Sequence, residues 1–213
     1  MASATRDPSS PDLQRVQQVR KAVLATVLAV TVVALCCADS FWRFRAPDLY
    51  EAIEWFGVVL IFVCIAGRTW CTLYIGGRKK DELVTLGPYS LVRNPLYVFT
   101  LIGAFGIGAQ FASIVVAIVM TAIAAAVFRT VVAEEEAFLA KAFPDDWARY
   151  SRDVARFMPR FRLWRDTEQL TIKPALVVKT FLDACLFALA IPGADLIETA
   201  QAHGYLPVLL LLP

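Results

Sequence analysis

Gly77-Arg78-Lys79-Lys80-Asp81-Glu82, then Gly87-Pro88-Tyr89-Ser90-Leu91-Val92-Arg93-Asn94-Pro95-Leu96-Tyr97, is a polar, basic stretch set between two apolar ones. An apolar hairpin follows and runs straight into Glu134-Glu135-Glu136. The two polar segments are distant in sequence, yet a membrane hairpin returns both to one surface. That arrangement lets a membrane protein gather a polar site from separate parts of its chain, and it decides the reading of the rest.

Composition points the same way. Of 213 residues, 58% are hydrophobic and 19% charged, with a mean hydropathy of +0.59. An average soluble domain is less apolar and more charged. A net charge of +2 gives no reason to expect a nucleic-acid partner. The five cysteines, Cys36, Cys37, Cys64, Cys71 and Cys185, all fall in apolar runs without CxxC or zinc-like spacing. They read as buried free thiols. His203 is the single histidine, so a His-based triad or a multi-histidine metal centre is hard to build; a carboxylate-only centre has weak support, and no metal site is assigned.

A bilayer-crossing helix needs about 20 apolar residues. Segments 22–38, 53–75, 96–109 and 111–133 approach or meet that length, the last two joined near Gln110. Segment 22–38 reads as a span rather than a secretory signal, because no small-residue cleavage site precedes the charged region after it. A fifth candidate, 175–191, carries Lys179 and Asp183 one turn apart, where they can pair. Residues 206–212 are too short to span and are expected to lie against the protein or the interface. The fold expected is therefore all-α, a polytopic transmembrane helical protein of about five spans.

Charge sets the orientation. Arg6, Arg15, Arg20 and Lys21 precede the first span; Arg68, Arg78, Lys79, Lys80 and Arg93 lie around the 76–95 loop; Lys141, Arg149, Arg152, Arg156, Arg160, Arg162, Arg165 and Lys173 follow the fourth. The loop between the first two spans holds only Arg43 and Arg45. By the positive-inside rule the amino terminus, the 76–95 loop and 134–173 face the cytoplasm, and His203 lies on the far side. Residues 1–21 form a flexible tail and basic surface helix, 22–173 a membrane core with cytoplasmic helices, and 174–213 a C-terminal membrane segment.

After Glu136, Phe138, Leu139, Phe143, Trp147, Tyr150, Val154, Phe157 and Phe161 recur at three- and four-residue spacings among charges. That pattern predicts a cytoplasmic amphipathic helix, interrupted at Pro144 and ended before Pro159. Gly103, Gly106 and Gly108 in the third span permit close helix packing or contact with a bulky ligand. Arg93 and Asn94 stand at the amino end of that span, where backbone N–H groups favour an anion. Glu134–136 stands at the inner end of the fourth, the less favourable end for negative charge. A carboxylate there can stabilise a cation or accept a proton.

These residues also carry a likeness. The run Leu83-Val84-Thr85-Leu86-Gly87-Pro88-Tyr89, then Val92-Arg93-Asn94-Pro95-Leu96-Tyr97, resembles the isoprenylcysteine carboxyl methyltransferase family and its phospholipid methyltransferase relatives. Glu135-Glu136-Ala137-Phe138-Leu139 resembles it too, as do Phe143-Pro144-Asp145-Asp146-Trp147-Ala148-Arg149-Tyr150 and Val154-Ala155-Arg156-Phe157-Met158-Pro159.

The resemblance implies an integral-membrane enzyme that transfers a methyl group from S-adenosylmethionine to a lipid-like or prenylated acceptor arriving from the bilayer. It implies cofactor contacts from Asp81, Glu82, Leu83, Val84, Tyr89, Arg93, Asn94, Pro95, Leu96 and Tyr97. Catalytic roles fall to Glu135, Arg93 and Glu136. Membrane lipids are the expected surroundings, with no obligate protein partner. Three positions depart from the pattern: Asn94 replaces the signature histidine, Val131 an acceptor-binding arginine, and Ala155 a proline. A membrane reductase of the sterol-reductase type, using a nicotinamide dinucleotide, is the alternative enzyme. A non-catalytic membrane assembly or transport protein is the alternative outside enzymes.

Overall fold

The computed structural model describes residue 31, residues 33–77 and residues 82–213. The amino-terminal tail, most of the expected first span, and Arg78, Lys79, Lys80 and Asp81 lie outside the described residues. A short strand, β1 (Ala38–Ser40), and one turn of helix, α1 (Trp42–Arg45), lead into α2 (Pro47–Ile75). The loop beyond α2 holds α3 (Pro88–Leu91), then come α4 (Pro95–Ala109), α5 (Ile114–Ala142) and α6 (Pro144–Asp153). Two C-terminal helices, α7 (Pro174–Cys185) and α8 (Ala190–Ala202), are joined by a 3-10 turn at Leu186–Leu189, and β2 (Leu210–Leu212) closes the chain.

Proline sets many of these boundaries. Pro47, Pro88, Pro95, Pro144 and Pro174 each open a helix, where the missing N–H costs nothing and φ is already helical. α2 stops at Gly76 and Gly77, the latter at φ +85°, a conformation that glycine adopts without penalty. Ser113 caps α5, its hydroxyl accepting the Val116 N–H at 3.3 Å.

Among the described residues, three helical stretches are long and apolar enough to cross a membrane: Pro47–Ile75, Ile114–Ala142 and Pro174–Ala202. α4 is a shorter apolar helix. The helical reading thus holds, apart from the small β1–β2 pair. In that pair residues 206–212 lie against the protein as expected: Leu210–Leu212 run parallel to Ala38–Ser40.

Two boundaries differ from the hydropathy reading. Apolar character ends near Ala133, but α5 continues to Ala142, because charged side chains do not break a helix while Pro144 disfavours helical geometry at the residue before it. The triple glutamate therefore sits inside α5 and not at its end. The C-terminal helical run likewise extends from Pro174 to Ala202, beyond the expected 175–191.

α4 packs between α2 and α5, and glycines set the spacing. A Cβ at Gly106 would stand 2.9 Å from the Gly57 carbonyl oxygen and 3.1 Å from the Ile61 nitrogen. One at Gly103 would press on Cys64 and Phe187, and one at Gly108 on Ala117. In lipid, where apolar burial gives no drive between helices, such close backbone approach supplies the contact energy. The opposite faces of α2 and α5 leave Trp55, Phe56, Phe62, Ile114 and Ile118 at least half exposed, as lipid-facing residues would be. All five cysteines are free, with Cys64 and Cys71 buried.

At one end of the bundle, side chains tie loops to backbone. Ser40 Oγ donates to the Ala112 carbonyl at 2.7 Å, and Gln110 Nε2 to the Glu54 carbonyl at 2.9 Å. Gln201 Nε2 donates to the carbonyls of Cys36 and Ala38. The other end is organised differently, around a cleft.

The glycine contacts make a paired prediction. Gly106→Ile forces α2 and α4 apart and costs about 1–3 kcal/mol, read as a lower unfolding temperature in detergent. Gly193→Ala, where a Cβ meets nothing within 4 Å, is neutral or stabilises by up to about 1 kcal/mol.

Candidate active site

The cleft forms where α2 ends, α4 begins and α5 passes beyond its apolar part. Its lining comprises Ile75, Glu82, Leu83, Val84, Tyr89, Arg93, Asn94, Pro95, Leu96, Tyr97, Glu135, Leu139 and Tyr150. Every described residue expected to contact a cofactor is on that wall, together with Glu135. Asp81 is outside the described residues. Glu136, one position further along α5, does not line the cleft.

Local geometry explains how the 87–94 segment is held. Gly87 takes φ +57°, and a Cβ there would stand 2.3 Å from the Tyr74 ring, so a side chain is excluded. Its N–H donates to the Arg165 carbonyl at 2.8 Å. Ser90 Oγ donates to the Gly87 carbonyl at 2.6 Å and accepts the Arg165 N–H at 3.1 Å. Arg93 N–H donates to the Ala155 carbonyl at 2.9 Å, and Arg160 N–H to the Leu91 carbonyl at 3.0 Å. Tyr150 of α6 sends its hydroxyl to the Tyr89 carbonyl at 2.8 Å. The 154–165 segment is thus laced onto the signature loop. Tyr74 OH, donating to Asp166 Oδ1 at 2.9 Å, and the Trp70–Trp164 contact at 5.7 Å anchor the same segment to α2.

Glu136 is the polar centre of this corner. Its side chain is 8% exposed. Oε1 accepts from Asn94 Nδ2 at 2.9 Å, and Oε2 accepts from Arg156 Nε at 3.0 Å and Nη2 at 2.5 Å. Arg93 Nε stands 3.5 Å from Oε1, and its guanidinium lies 5.5 Å from the Trp147 ring centre. Asn94 Nδ2 also reaches the Arg156 carbonyl at 3.3 Å. A buried carboxylate requires such partners. Glu136 therefore fixes Arg93 and Asn94 in place, while Glu135, beside Tyr97, faces the cleft.

Among the described residues, two buried polar atoms on the wall make no hydrogen bond: Tyr89 OH, and Arg93 Nε, which has only its long ion contact with Glu136. Such atoms are costly unless a ligand completes them. Burial raises the pKa of both Tyr89 and Tyr150 above the ordinary tyrosine value, so both stay protonated donors at neutral pH. Tyr150, Leu139 and Ile75 join the cleft although the sequence does not mark them as site residues. In the sequence Tyr150 is one beat of the amphipathic pattern, and Arg156 is one of many basic residues.

A helical membrane protein with a partly buried polar cleft at one end of its helices is the class these features define. The chain belongs to the phospholipid methyltransferase family, which it matches over residues 47–146. It is 32% identical over 194 residues to the nickel-cobalt-cadmium resistance protein NccN of Alcaligenes xylosoxydans xylosoxydans, covering 91% of this chain and 90% of that one. It is 40% identical over 131 residues to the cobalt-zinc-cadmium resistance protein CzcN of Cupriavidus metallidurans, covering 62% of this chain and 60% of that one. No solved structure matches it.

Glu136→Gln keeps the size but removes the charge that Arg93 and Arg156 share. A loss of about 1–3 kcal/mol is expected in detergent unfolding, smaller in an Arg156→Ala background because the partner is already gone. Glu134→Gln, exposed on the same helix, should stay within about 0.5 kcal/mol of the parent.

Proposed function

We infer that this protein is an S-adenosylmethionine-dependent methyltransferase whose acceptor is a lipid-like molecule reaching the cleft from the bilayer. Its helices would cross the membrane several times, with the cleft on the cytoplasmic side, as the basic loops at that end favour. The observation that carries the reading is the convergence of the 82–84, 89–97 and Glu135 segments on one cleft. Tyr89 OH, buried there without a hydrogen bond among the described residues, and the Arg93 guanidinium beside it suit a ligand rich in polar groups.

In this reading Arg93 faces the cofactor carboxylate, with Glu136 and Trp147 holding the guanidinium in position. Tyr89 and Tyr97 form walls, and Leu83, Val84 and Leu96 supply apolar contact. Asn94 acts chiefly as a positioning residue, since its Nδ2 is committed to Glu136 and Arg156. When bound, the cofactor would supply an electrophilic methyl group, its carbon–sulfur electron pair returning to sulfur as the acceptor nucleophile bonds to carbon. Glu135 stabilises positive charge at that point, or takes the proton of an acceptor that carries one. Alignment of nucleophile and methyl group is the main requirement, and a rigid corner meets it.

The metal-resistance names of the relatives attach to those proteins. Carried to this chain, they suggest that methylation of a membrane component accompanies metal tolerance. Among the described residues there is no group of three His, Cys, Asp or Glu side chains placed to hold a metal ion.

Calorimetry of S-adenosylhomocysteine with the detergent-solubilised protein tests the reading. Binding is expected, and Arg93→Ala should weaken it at least about tenfold, as loss of a charge-assisted contact does. Glu135→Gln should leave that affinity within about twofold while lowering transfer of tritiated methyl groups into a polar lipid extract at least about tenfold. Absence of binding by intact protein would turn the assignment to the nicotinamide-dependent reductase or the non-catalytic reading.

A further inference from the structure

Arg68 is a charge that the proposed chemistry leaves unused. It lies in α2, before that helix ends at Ile75, at a depth of about 10 Å from the end by helical rise. A guanidinium so placed is costly and ordinarily faces a carboxylate or a polar cavity. Among the described residues no carboxylate forms an ion pair with it. Its Nη1 donates to Thr100 Oγ1 at 2.5 Å, its Cζ stands 5.9 Å from the Phe187 ring centre, and its Nε is buried with no hydrogen-bond partner. A hydroxyl and a ring face orient a cation without neutralising it.

The surroundings say what would neutralise it. Thr100 follows Tyr97 by one turn of α4, so the two are neighbours on that helix. Tyr97 lies within electrostatic reach of both Arg68 and Glu135, which joins Arg68 to the inner end of the cleft. The helix α7 and the 3-10 turn after it pack on α2, and α5 packs on α4, with at most slight contact between α5 and the C-terminal helices. That leaves room for a lateral gap over α4 on the Tyr97 side of Gly103, where the Phe187 ring rests on the helix. Arg68 and Phe187 stand on one side of it, and Phe128 of α5, 4.9 Å from Tyr97 by ring centres, on the other. By helical spacing Phe128, Val131 and Glu135 share that side of α5, and none is cationic. Such a gap would run between Phe187 and Phe128, with Arg68 as its cation and Tyr97 and Glu135 at its end.

We propose that Arg68 binds the anionic group, carboxylate or phosphate, of an amphiphile lying in this gap, and so sets which membrane molecule is presented to Glu135. That the amphiphile is the methyl acceptor rests on the reading above; that Arg68 binds it does not. Arg68 acts as a specificity-determining residue, since the reacting atoms lie at the other end of the gap.

The test uses the full chain in phosphatidylcholine bilayers, with spin-labelled stearate and its methyl ester as probes read by electron paramagnetic resonance. The protein should immobilise the ionised acid over the ester at least about tenfold, the scale of a charged hydrogen bond. Arg68→Gln should abolish that preference, and Arg68→Lys should keep part of it, which separates lost charge from lost folding. Arg129→Gln, an exposed cation on α5, should change nothing.

S-adenosylhomocysteine calorimetry on the same proteins separates the two claims. Saturating stearate should tighten that binding about fivefold, the scale of coupling between adjacent sites. Preference unchanged in Arg68→Gln overturns the proposal. Preference that depends on Arg68 without any coupling assigns the site to a lipid headgroup and overturns the acceptor role. Preference that depends on Arg68 in a protein that binds no S-adenosylhomocysteine keeps the anion site and removes the methyl-transfer reading.

Discussion

A single buried carboxylate organises the working end of this protein. Glu136 sits within a helix that is long and apolar enough to cross a membrane, and it accepts hydrogen bonds from Asn94 and Arg156 while standing near Arg93. Those partners come from the loop before α4 and from the segment after α6. Remove the charge and three stretches of chain lose their common point. The energetic logic is that of any buried ion: its desolvation is tolerable only when several donors surround it. The same donors then become immobile, and immobility is what a positioning surface requires.

Immobility at one carboxylate leaves its neighbour to do different work. Successive helical residues point about 100° apart, so Glu135 and Glu136 cannot share a role. One is turned into the ion-paired corner and the other toward the cleft with Leu139 and Tyr150. The glycine-spaced packing of α4 against α2 and α5 fixes the cleft from below, and the 154–165 segment fixes it from the side. Buried polar atoms that make no hydrogen bond among the described residues, Tyr89 OH and Arg93 Nε, are the remaining cost of this arrangement, one a bound ligand can offset.

Much of this is legible in the residues themselves, and the reasons are physical. Proline at 47, 88, 95, 144 and 174 marks helix starts, although Pro192 lies inside a helix, and helical apolar runs identify themselves by length. The 82–97 stretch signals a polar corner because charge between two apolar runs must return to a membrane surface. Hydropathy misplaces the end of α5 because it reports where lipid contact stops, whereas helices stop at breakers. Glu136 illustrates a second limit. Residue types and spacing say that a glutamate is present, but they do not say which arginine it finds. Arg156 reaches it only because the chain reverses at Pro144 and returns after α6. Asn94 likewise reads as a ligand residue, whereas its amide nitrogen is engaged by the protein itself.

The continuity of α5 has a mechanical consequence. From Ile114 to Glu135 the helix is unbroken, a rod of about 32 Å. If the far end is held, a tilt of about five degrees moves Glu135 by about 3 Å. Helices in bilayers tilt to match hydrocarbon thickness, so a thinner or thicker bilayer would act on the cleft through a lever.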